Sequence, residues 1–343
     1  MLIRKSRPTA KDVARIAGVS QSTVSRVLNE TGTDLISGET IKRVRELAAE
    51  MGYTPNPFAR ALRGKETRLI GLIVREMADP FFSSLISEIS VQANRLGYRV
   101  VLAPAHSDPN EALKAATALD TQHTDGVIIL GDLRDDENAI HKIFKEHSAV
   151  VTMCRGSTLE DVMTINVDNK KGINLLLNHL TSLGHKKIAF LDGGWFGDIH
   201  ERRSTFIEYL LDAKLMTIPD WVQVTTNDAE GGYRAMKYLL KASHRPTAVL
   251  ASDDIMAIGA MKAVYDADLS VPKDISITGF DDIDITFYIH PALTTVQQPI
   301  QSMSEKALKL LLDAVKGEEP QNYLIQVEPN LLVRQSTGPP PED

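Results

Sequence analysis

The stretch Pro8 to Asn29 reads PTAKDVARIAGVSQSTVSRVLN, and its residue order calls for two short helices around a tight turn. Thr9 is a good N-cap, and Asp12, three residues later, can engage free backbone N–H groups and favour the positive end of a helix dipole. A helix therefore starts near Ala10, with Val13, Ile16 and Ala17 on its apolar face and Gly18 where the chain must take a positive φ. Ser20 caps a second helix whose Val24, Val27 and Leu28 face inward, while Gln21, Ser22, Ser25, Arg26 and Asn29 face out. Together these parts make a helix-turn-helix, a motif that lays its second helix in a DNA major groove. Spacing alone leaves another reading open, because two amphipathic helices separated by a glycine also occur in ordinary helical domains.

Charge is unevenly spread around this stretch. The 343 residues carry a net charge of −7, yet residues 1–65 hold 12 Lys and Arg against 6 Asp and Glu, leaving 26 against 39 for the remainder. The amino-terminal end is thus +6 and the rest −13. Positive charge gathered at one end is the footprint of phosphate contact, whereas an acidic bulk opposes nonspecific binding elsewhere. The lone Cys154 excludes an intrachain disulfide and a thiolate metal cluster and fits a reducing compartment, so a cytoplasmic location is expected. No apolar run approaches the roughly 20 residues of a membrane span. Arg4, Lys5 and Arg7 are not followed by an apolar signal region.

Beyond Asn29, Ser37 and Glu39 open a third helix with Ile41, Val44, Leu47, Ala48 and Met51 at helical spacing, ended by Gly52. In YTPNPFARAL (53–62), Pro55 breaks the preceding helix, Asn56 can cap, and Pro57 suits a first turn, so a short helix runs to about Arg63. Such a helix is too short to be stable alone, and an ordinary linker is the competing reading. From Arg68 the pattern changes. LIGLIV, YRVVLA, GVIIL, AVVTM, KIAFL, AVLAS and SITGF are short apolar runs separated by longer amphipathic stretches, the pattern of parallel sheets covered by helices. The fold class expected is an all-α helix-turn-helix headpiece plus an α/β body of two lobes, with an unstructured tail STGPPPED.

Phosphate and metal motifs are missing from this body: there is no G-x-x-x-x-G-K-[ST], Gly193, Gly194 and Gly197 do not match G-x-G-x-x-G, and no H-E-x-x-H occurs. No cofactor and no metal are implied, and no convergent catalytic set argues for an enzyme. Residues just after strands face the ligand crevice of an open α/β sheet. That rule selects Asp79, Phe81 and Phe82 of DPFF, Trp195 and Phe196 after KIAFL, Asp253 and Asp254 after AVLAS, and Asp281 after SITGF. Carboxylates accept from hydroxyls, guanidinium groups donate, and aromatic faces cover the apolar side of a sugar ring. Each has a duller alternative: Phe81 and Phe82 as core, Asp253 or Asp254 as helix cap, and Arg202 as plain surface.

Thr9 to Asn29 closely resembles the signature T-x-x-D-V-A-x-x-A-G-V-S-x-x-T-V-S-R-V-L-N of LacI/GalR-family bacterial transcription regulators, with Ile16 at a variable position. The resemblance extends through the chain and implies a headpiece at 1–54, a hinge helix and linker at 55–67, and a periplasmic-binding-protein-like effector-binding and dimerisation domain at 68–338. Its lobes would take about 68–165 with 297–325, and 166–296 with 326–338, before a disordered tail at 339–343. By the same resemblance Gln21, Ser22 and Arg26 read bases; Thr9, Thr23, Ser25 and Asn29 meet phosphates; Ala59 and Leu62 enter the minor groove from a hinge that folds only on the operator. Arg202 of RRSTF stands where the family has the effector-binding Arg of R-x-x-G-F, and Asp281 stands at the Asp of G-[FY]-D. Asp253 matches a hydroxyl-contacting position, and Asp79, Phe81, Phe82, Trp195 and Asn227 complete the expected effector set. Thr205 and Ser304 replace usual glycines. The implied protein is a regulator, most simply a repressor, working as a homodimer on a palindromic double-stranded operator under a sugar-like effector. A sugar receptor without DNA-linked function is the rival, and it has no use for Thr9 to Asn29.

Overall fold

The computed structural model of the chain describes residues 8–29, 32–53, 66–106, 108–121, 123–132, 143–145, 147, 149–156, 162–194, 196–216 and 218–342. The expectations for Ala59, Leu62, Trp195 and the hinge helix lie outside these residues. The chain forms two compact units, residues 1–67 and 68–343.

In the first unit, α1 (Ala10–Ala17), α2 (Gln21–Leu28) and α3 (Gly38–Glu50) enclose a small core of Val13, Ala14, Ala17, Val24, Val27, Val44 and Ala48. Leu28, Ile41, Leu47 and Met51 pack against it. A capping box starts α1: the Thr9 backbone N–H donates to Asp12 Oδ2 at 2.9 Å, and the Asp12 N–H donates back to Thr9 Oγ1 at 3.4 Å. Gly18 ends α1 at φ 65, a left-handed conformation that costs a residue bearing a Cβ. Ser20 and Ser37 accept from Thr23 N–H at 3.0 Å and Thr40 N–H at 3.3 Å, capping α2 and α3. Ile16 departs from expectation, being 49 % exposed, and Ala14 is buried in its place. Both α2 and α3 pack on α1, which centres its buried stripe on residues 13, 14 and 17 and leaves Ile16 on the flank.

The second unit holds two six-stranded sheets. The first, in order β11-β5-β4-β3-β1-β2, contains β1 (Leu69–Val74), β2 (Arg99–Pro104), β3 (Gly126–Leu130), β4 (Val150–Met153), β5 (Met163–Val167) and β11 (Leu324–Val327), all parallel. The second, in order β12-β10-β9-β8-β6-β7, contains β6 (Ile188–Asp192), β7 (Val222–Val224), β8 (Ala248–Ala251), β9 (Ser276–Asp281), β10 (Thr294–Gln297) and β12 (Asn330–Leu332). Only β12 runs antiparallel, against β10. The chain passes to the second sheet after β5, returns after β10, and passes again between β11 and β12.

Every apolar run named above became a strand; MTINV, VQV, TTVQ, LIQV and NLL were not singled out. Polar residues interrupt several of these, and neighbouring groups satisfy them: Thr164 Oγ1 lies 2.8 Å from Thr152 Oγ1, and Thr294 Oγ1 lies 3.1 Å from Thr337 Oγ1. Hydrophobic clusters flank both sheets, and the helix Pro80–Arg95 buries Phe81, Phe82, Leu85, Ile89 and Ala93 beside the first. The start of the tail is ordered, contrary to the reading of STGPPPED as unstructured. Ser336 Oγ donates to the Ile277 carbonyl at 2.6 Å and accepts from Thr294 N–H at 2.8 Å, and the Gly338 carbonyl accepts from His185 at 2.9 Å. Polar bonds, which carry no apolar periodicity, hold it in place. Among the described residues no helix is long and apolar enough to cross a membrane.

Candidate functional site

On the first unit, the caps fix α2 so that Gln21, Ser22 and Arg26 are exposed. The side chains expected at phosphates are held by local bonds. Thr9 Oγ1 donates to Asp12 Oδ2 at 2.7 Å, Thr23 Oγ1 lies 2.8 Å from Ser20 Oγ, and Asn29 Nδ2 donates to the Ser25 carbonyl at 2.7 Å. Arg26 thus offers a fork suited to a guanine edge and Gln21 an amide suited to adenine, from a short helix preorganised by its caps.

On the second unit, parallel strands deliver their carboxyl ends to one side, where a cleft of about 510 Å³ opens between the two sheets. Its lining includes Arg75, Asp79, Gly193, Phe196, Asn227 and Ile255. From the first sheet, β1 ends at Val74 and hands Arg75 to the cleft; its guanidinium stacks 4.8 Å from the Phe82 ring centre and 3.9 Å from that of Phe196. Asp79 caps the helix Pro80–Arg95, accepting from Phe81 N–H at 2.9 Å, and lies 3.8 Å from Arg75. Asp132, just past β3, accepts the Gly197 N–H at 2.7 Å, which ties the first lobe to the start of the helix Gly197–Asp212 in the second. Beside it Arg155 Nε stands 3.5 Å from Asp132 Oδ1, and Gly156 meets Gly197 backbone to backbone so closely that a Cβ on Gly156 would lie 1.7 Å from the Gly197 carbonyl carbon.

The second lobe supplies Arg202, which is 2 % exposed. Its Nε donates to Asn169 Oδ1 at 2.8 Å and Nη1 to the Ser252 carbonyl at 2.6 Å; the guanidinium sits 3.7 Å over Phe280. Asp281 Oδ1 is 3.6 Å from Arg202 Nη1 and accepts from Gln298 Nε2 at 2.6 Å. Asp281 has φ 120, a conformation L residues avoid, and stays there because Gln298 and Arg202 hold its carboxyl. Asp253 caps the helix Asp254–Tyr265 through Met256 N–H at 2.8 Å, and Asn227 hydrogen-bonds to it from the side. Its neighbour Asp254 turns away, accepting from Thr295 Oγ1 at 2.5 Å and Ile283 N–H at 2.9 Å. Asp282 likewise leaves the cleft and pairs with Arg334.

Burial dominates the electrostatics here, as expected where carboxylates lose water. It raises Asp79 against the pull of Arg75, and it raises Asp132 with help from Asp198. Burial pushes Asp253 up to about 6 against its hydrogen bond from Met256, and drives Asp281 well above the usual carboxylate range against Arg202. Burial also pushes the Cys154 thiol well up, so it stays neutral beside the cleft. The result is a polar, mixed-charge surface able to hold and orient a hydroxylated molecule.

Of the residues expected from sequence, the structure places Asp79 and Asn227 on the cleft wall, with Arg202, Asp253 and Asp281 buried, the two carboxylates within electrostatic reach of Asp79. Phe81 and Phe82 lie in the first lobe's core at 4 % and 1 % exposure, with Phe82 acting only as a floor beneath Arg75. Arg202 is no surface residue, and Thr205, where the family pattern has Gly, is buried with its hydroxyl bonded to the Glu201 carbonyl at 2.9 Å. Ser304, at the other replaced glycine, is fully buried in the helix Ile300–Val315. Sequence reasoning missed Arg75, Asp132, Arg155 and Asp198. Arg75, Asp132 and Arg155 follow the ends of β1, β3 and β4 by one or two residues, so the strand-end rule applied to every strand would have found them.

Comparison with known proteins agrees with this arrangement. A family model for bacterial regulatory proteins of the lacI family matches residues 9–56, and one for a periplasmic binding protein-like domain matches residues 177–337. The HTH-type transcriptional repressor PurR of Mannheimia succiniciproducens is 32 % identical over 96 % of this chain and 98 % of its own length. The ribose operon repressor of Haemophilus influenzae is also 32 % identical, over 96 % and 98 %. Among solved structures, the lac repressor dimer bound to operator and the anti-inducer ONPF superposes with a TM-score of 0.85 at 28 % identity, covering 97 % of this chain and all of that one. Similarity of this extent, over headpiece and body alike, places the chain in the lacI family of bacterial transcription regulators.

Proposed function

We propose that this protein is a transcriptional repressor that binds a palindromic DNA operator as a homodimer, with a small hydroxylated molecule in the cleft between the lobes setting its affinity. The exposure of Gln21, Ser22 and Arg26 on a helix held by Ser20, in a lacI-family chain, is the observation that carries the reading. A solved relative is a dimer on operator, and other relatives are named repressors, which supports both the partner and a binding rather than converting role for the cleft. Gln21, Ser22 and Arg26 are assigned to bases, Thr9, Thr23, Ser25 and Asn29 to phosphates, and Ala59 and Leu62 to the hinge contact. Asp79, Arg202, Asn227, Asp253 and Asp281 are assigned to the effector, with Phe82 behind Arg75. The working divisions are 1–54, 55–67 and 68–338, and the place of action is the cytoplasmic nucleoid.

The effector acts through whatever difference in affinity it has for the DNA-competent and incompetent arrangements, since a ligand can shift an equilibrium by no more than that. Selection of duplexes from a random library by the full-length protein tests the reading. A palindrome bound roughly a thousandfold better than random duplex, with affinity falling steeply as salt rises, is expected. Equal, salt-insensitive binding to all duplexes would remove it.

A further inference from the structure

We propose that Arg334–Gly338, the segment after β12, is a pH-released strap on the second lobe: His179 and His185 latch it while their rings are neutral, and its release loosens the turn that carries Asp281 and Asp282. The strap lies along the starts of β9 and β10. There Arg334 N–H donates to Thr294 Oγ1 at 2.9 Å, Ile277 N–H to the Ser336 carbonyl at 2.9 Å, and Gly338 N–H to Ser276 Oγ at 3.1 Å. Two imidazoles close on its far end. His179 Nε2 lies 2.9 Å from Thr337 Oγ1, and His185 Nε2 donates to the Gly338 carbonyl at 2.9 Å. The near end grips the turn beside the cleft: Arg334 Nη2 donates to Asp282 Oδ1 at 2.5 Å and Nη1 to Thr286 Oγ1 at 2.9 Å. Asp281 and Asp282 take φ 120 and φ 60, a strained pair that persists only while its surroundings fix it.

A carbonyl only accepts, so Nε2 of His185 carries the proton and Nδ1, 2.9 Å from Thr247 Oγ1, keeps a lone pair for that hydroxyl. A second proton turns Nδ1 into a donor and puts a cation into a site that is 1 % exposed. The groups facing His185 are the hydroxyls of Thr247 and Ser276, the Gly338 carbonyl and one titratable neighbour, His179, which itself faces the Thr337 hydroxyl. Lys186 and Lys187 follow His185 on its own segment, and Arg245, on the lead into β8, is exposed. Asp274, ahead of β9, is engaged by Ser270 N–H at 2.8 Å; on the strap side Arg334 is paired with Asp282, and Glu342 is exposed. Among the described residues no carboxylate is bonded to either ring. Burial holds both imidazoles below the usual 6.5, and at His185 it does so against the pull of the Gly338 carbonyl, with His179 adding its like charge. The latch is therefore fully present above about pH 6.5 and is lost as pH falls below it.

The test is hydrogen–deuterium exchange on the full-length protein between about pH 8 and about pH 5.5, corrected for the intrinsic exchange rate at each pH. Protection of the strap amides should fall at least about tenfold at the acid end, since each histidine can supply up to about that factor one unit below 6.5. Protection of residues 282–288 should fall with it, while the helix Asn169–Ser182 and β8 stay protected. His179→Gln combined with His185→Gln keeps a side-chain donor and acceptor at each position without a titrating ring, so it should hold the strap at both pH values. His179→Gln alone, at the less buried ring, should remove part of the pH dependence and serves if the double variant does not fold. The proposal is overturned by strap protection that is the same at both pH values, by an equal fall in the glutamine variants, by a fall shared with the whole lobe, or by a turn that stays protected while the strap loosens. The readout needs neither DNA nor an effector, so its outcome is independent of the function proposed above.

Discussion

Arg202 Nη1 lies 3.6 Å from Asp281 Oδ1, with the same guanidinium 3.7 Å above Phe280, the residue that precedes Asp281 on β9. Both side chains are almost wholly buried, and Arg202 is further tied to Asn169 and the Ser252 carbonyl. The pair therefore sits inside the second lobe's framework as well as beside the cleft.

Removing it should be felt twice. Arg202→Ala leaves the Asp281 carboxyl buried without its cation, a change that typically costs about 3–5 kcal/mol. We expect a lower urea midpoint and at least about tenfold weaker effector binding by calorimetry at a temperature where the variant is folded. Unchanged affinity would assign Arg202 to structure alone.

Gly156→Ala probes closure of the lobes. Its new Cβ would meet backbone atoms of Gly197, which no side-chain rotation can clear. The variant should hold the lobes apart, giving a larger radius of gyration in X-ray scattering and weaker effector binding, with little loss in either lobe's own stability.

Asp254 gives a pH signature. Burial raises its carboxyl from 3.8 to about 8 in the folded state, against the hydrogen bonds from Thr295 and Ile283. Between those values the folded protein binds the extra proton, so this group's contribution is fully present below about pH 4 and is lost as pH rises towards about 8. Asp254→Asn, able to accept from Ile283 N–H and donate to Thr295, mimics the protonated form. Denaturant titrations from pH 5 to 9 should show a flatter stability profile for Asp254→Asn than for wild type; parallel profiles would refute this role.

Arg26→Ala should relax preference at one base pair in each half-site at a cost of about 1–3 kcal/mol, without lowering headpiece stability, because Arg26 is exposed. Selection followed by sequencing distinguishes this from a uniform loss of affinity, which would mean that Arg26 touches only phosphate.

How far the sequence reached depended on the range of the interactions. The capping box at Thr9 and Asp12, the left-handed Gly18 and the apolar runs of the central strands act over a few residues and were all readable. Ile16 was misplaced because both neighbouring helices decide which side of α1 is buried. Phe81 and Phe82 carried the chemistry of a sugar-stacking surface, yet packing put them in the core and left Phe196 facing Arg75 from the other lobe.

Local backbone preferences and periodic apolar burial were sufficient, by themselves, for two short capped helices around a glycine turn followed by parallel α/β layers; the DNA-binding reading of the second helix came from the resemblance to a family, because spacing alone fits an ordinary helical pair equally well. Which carboxylates and guanidiniums share one cleft was decided by tertiary structure alone. Arg75 and Asp198 stand 123 positions apart in the chain and 4.0 Å apart in space, and only the docking of one sheet's strand ends against the other's brings such residues together.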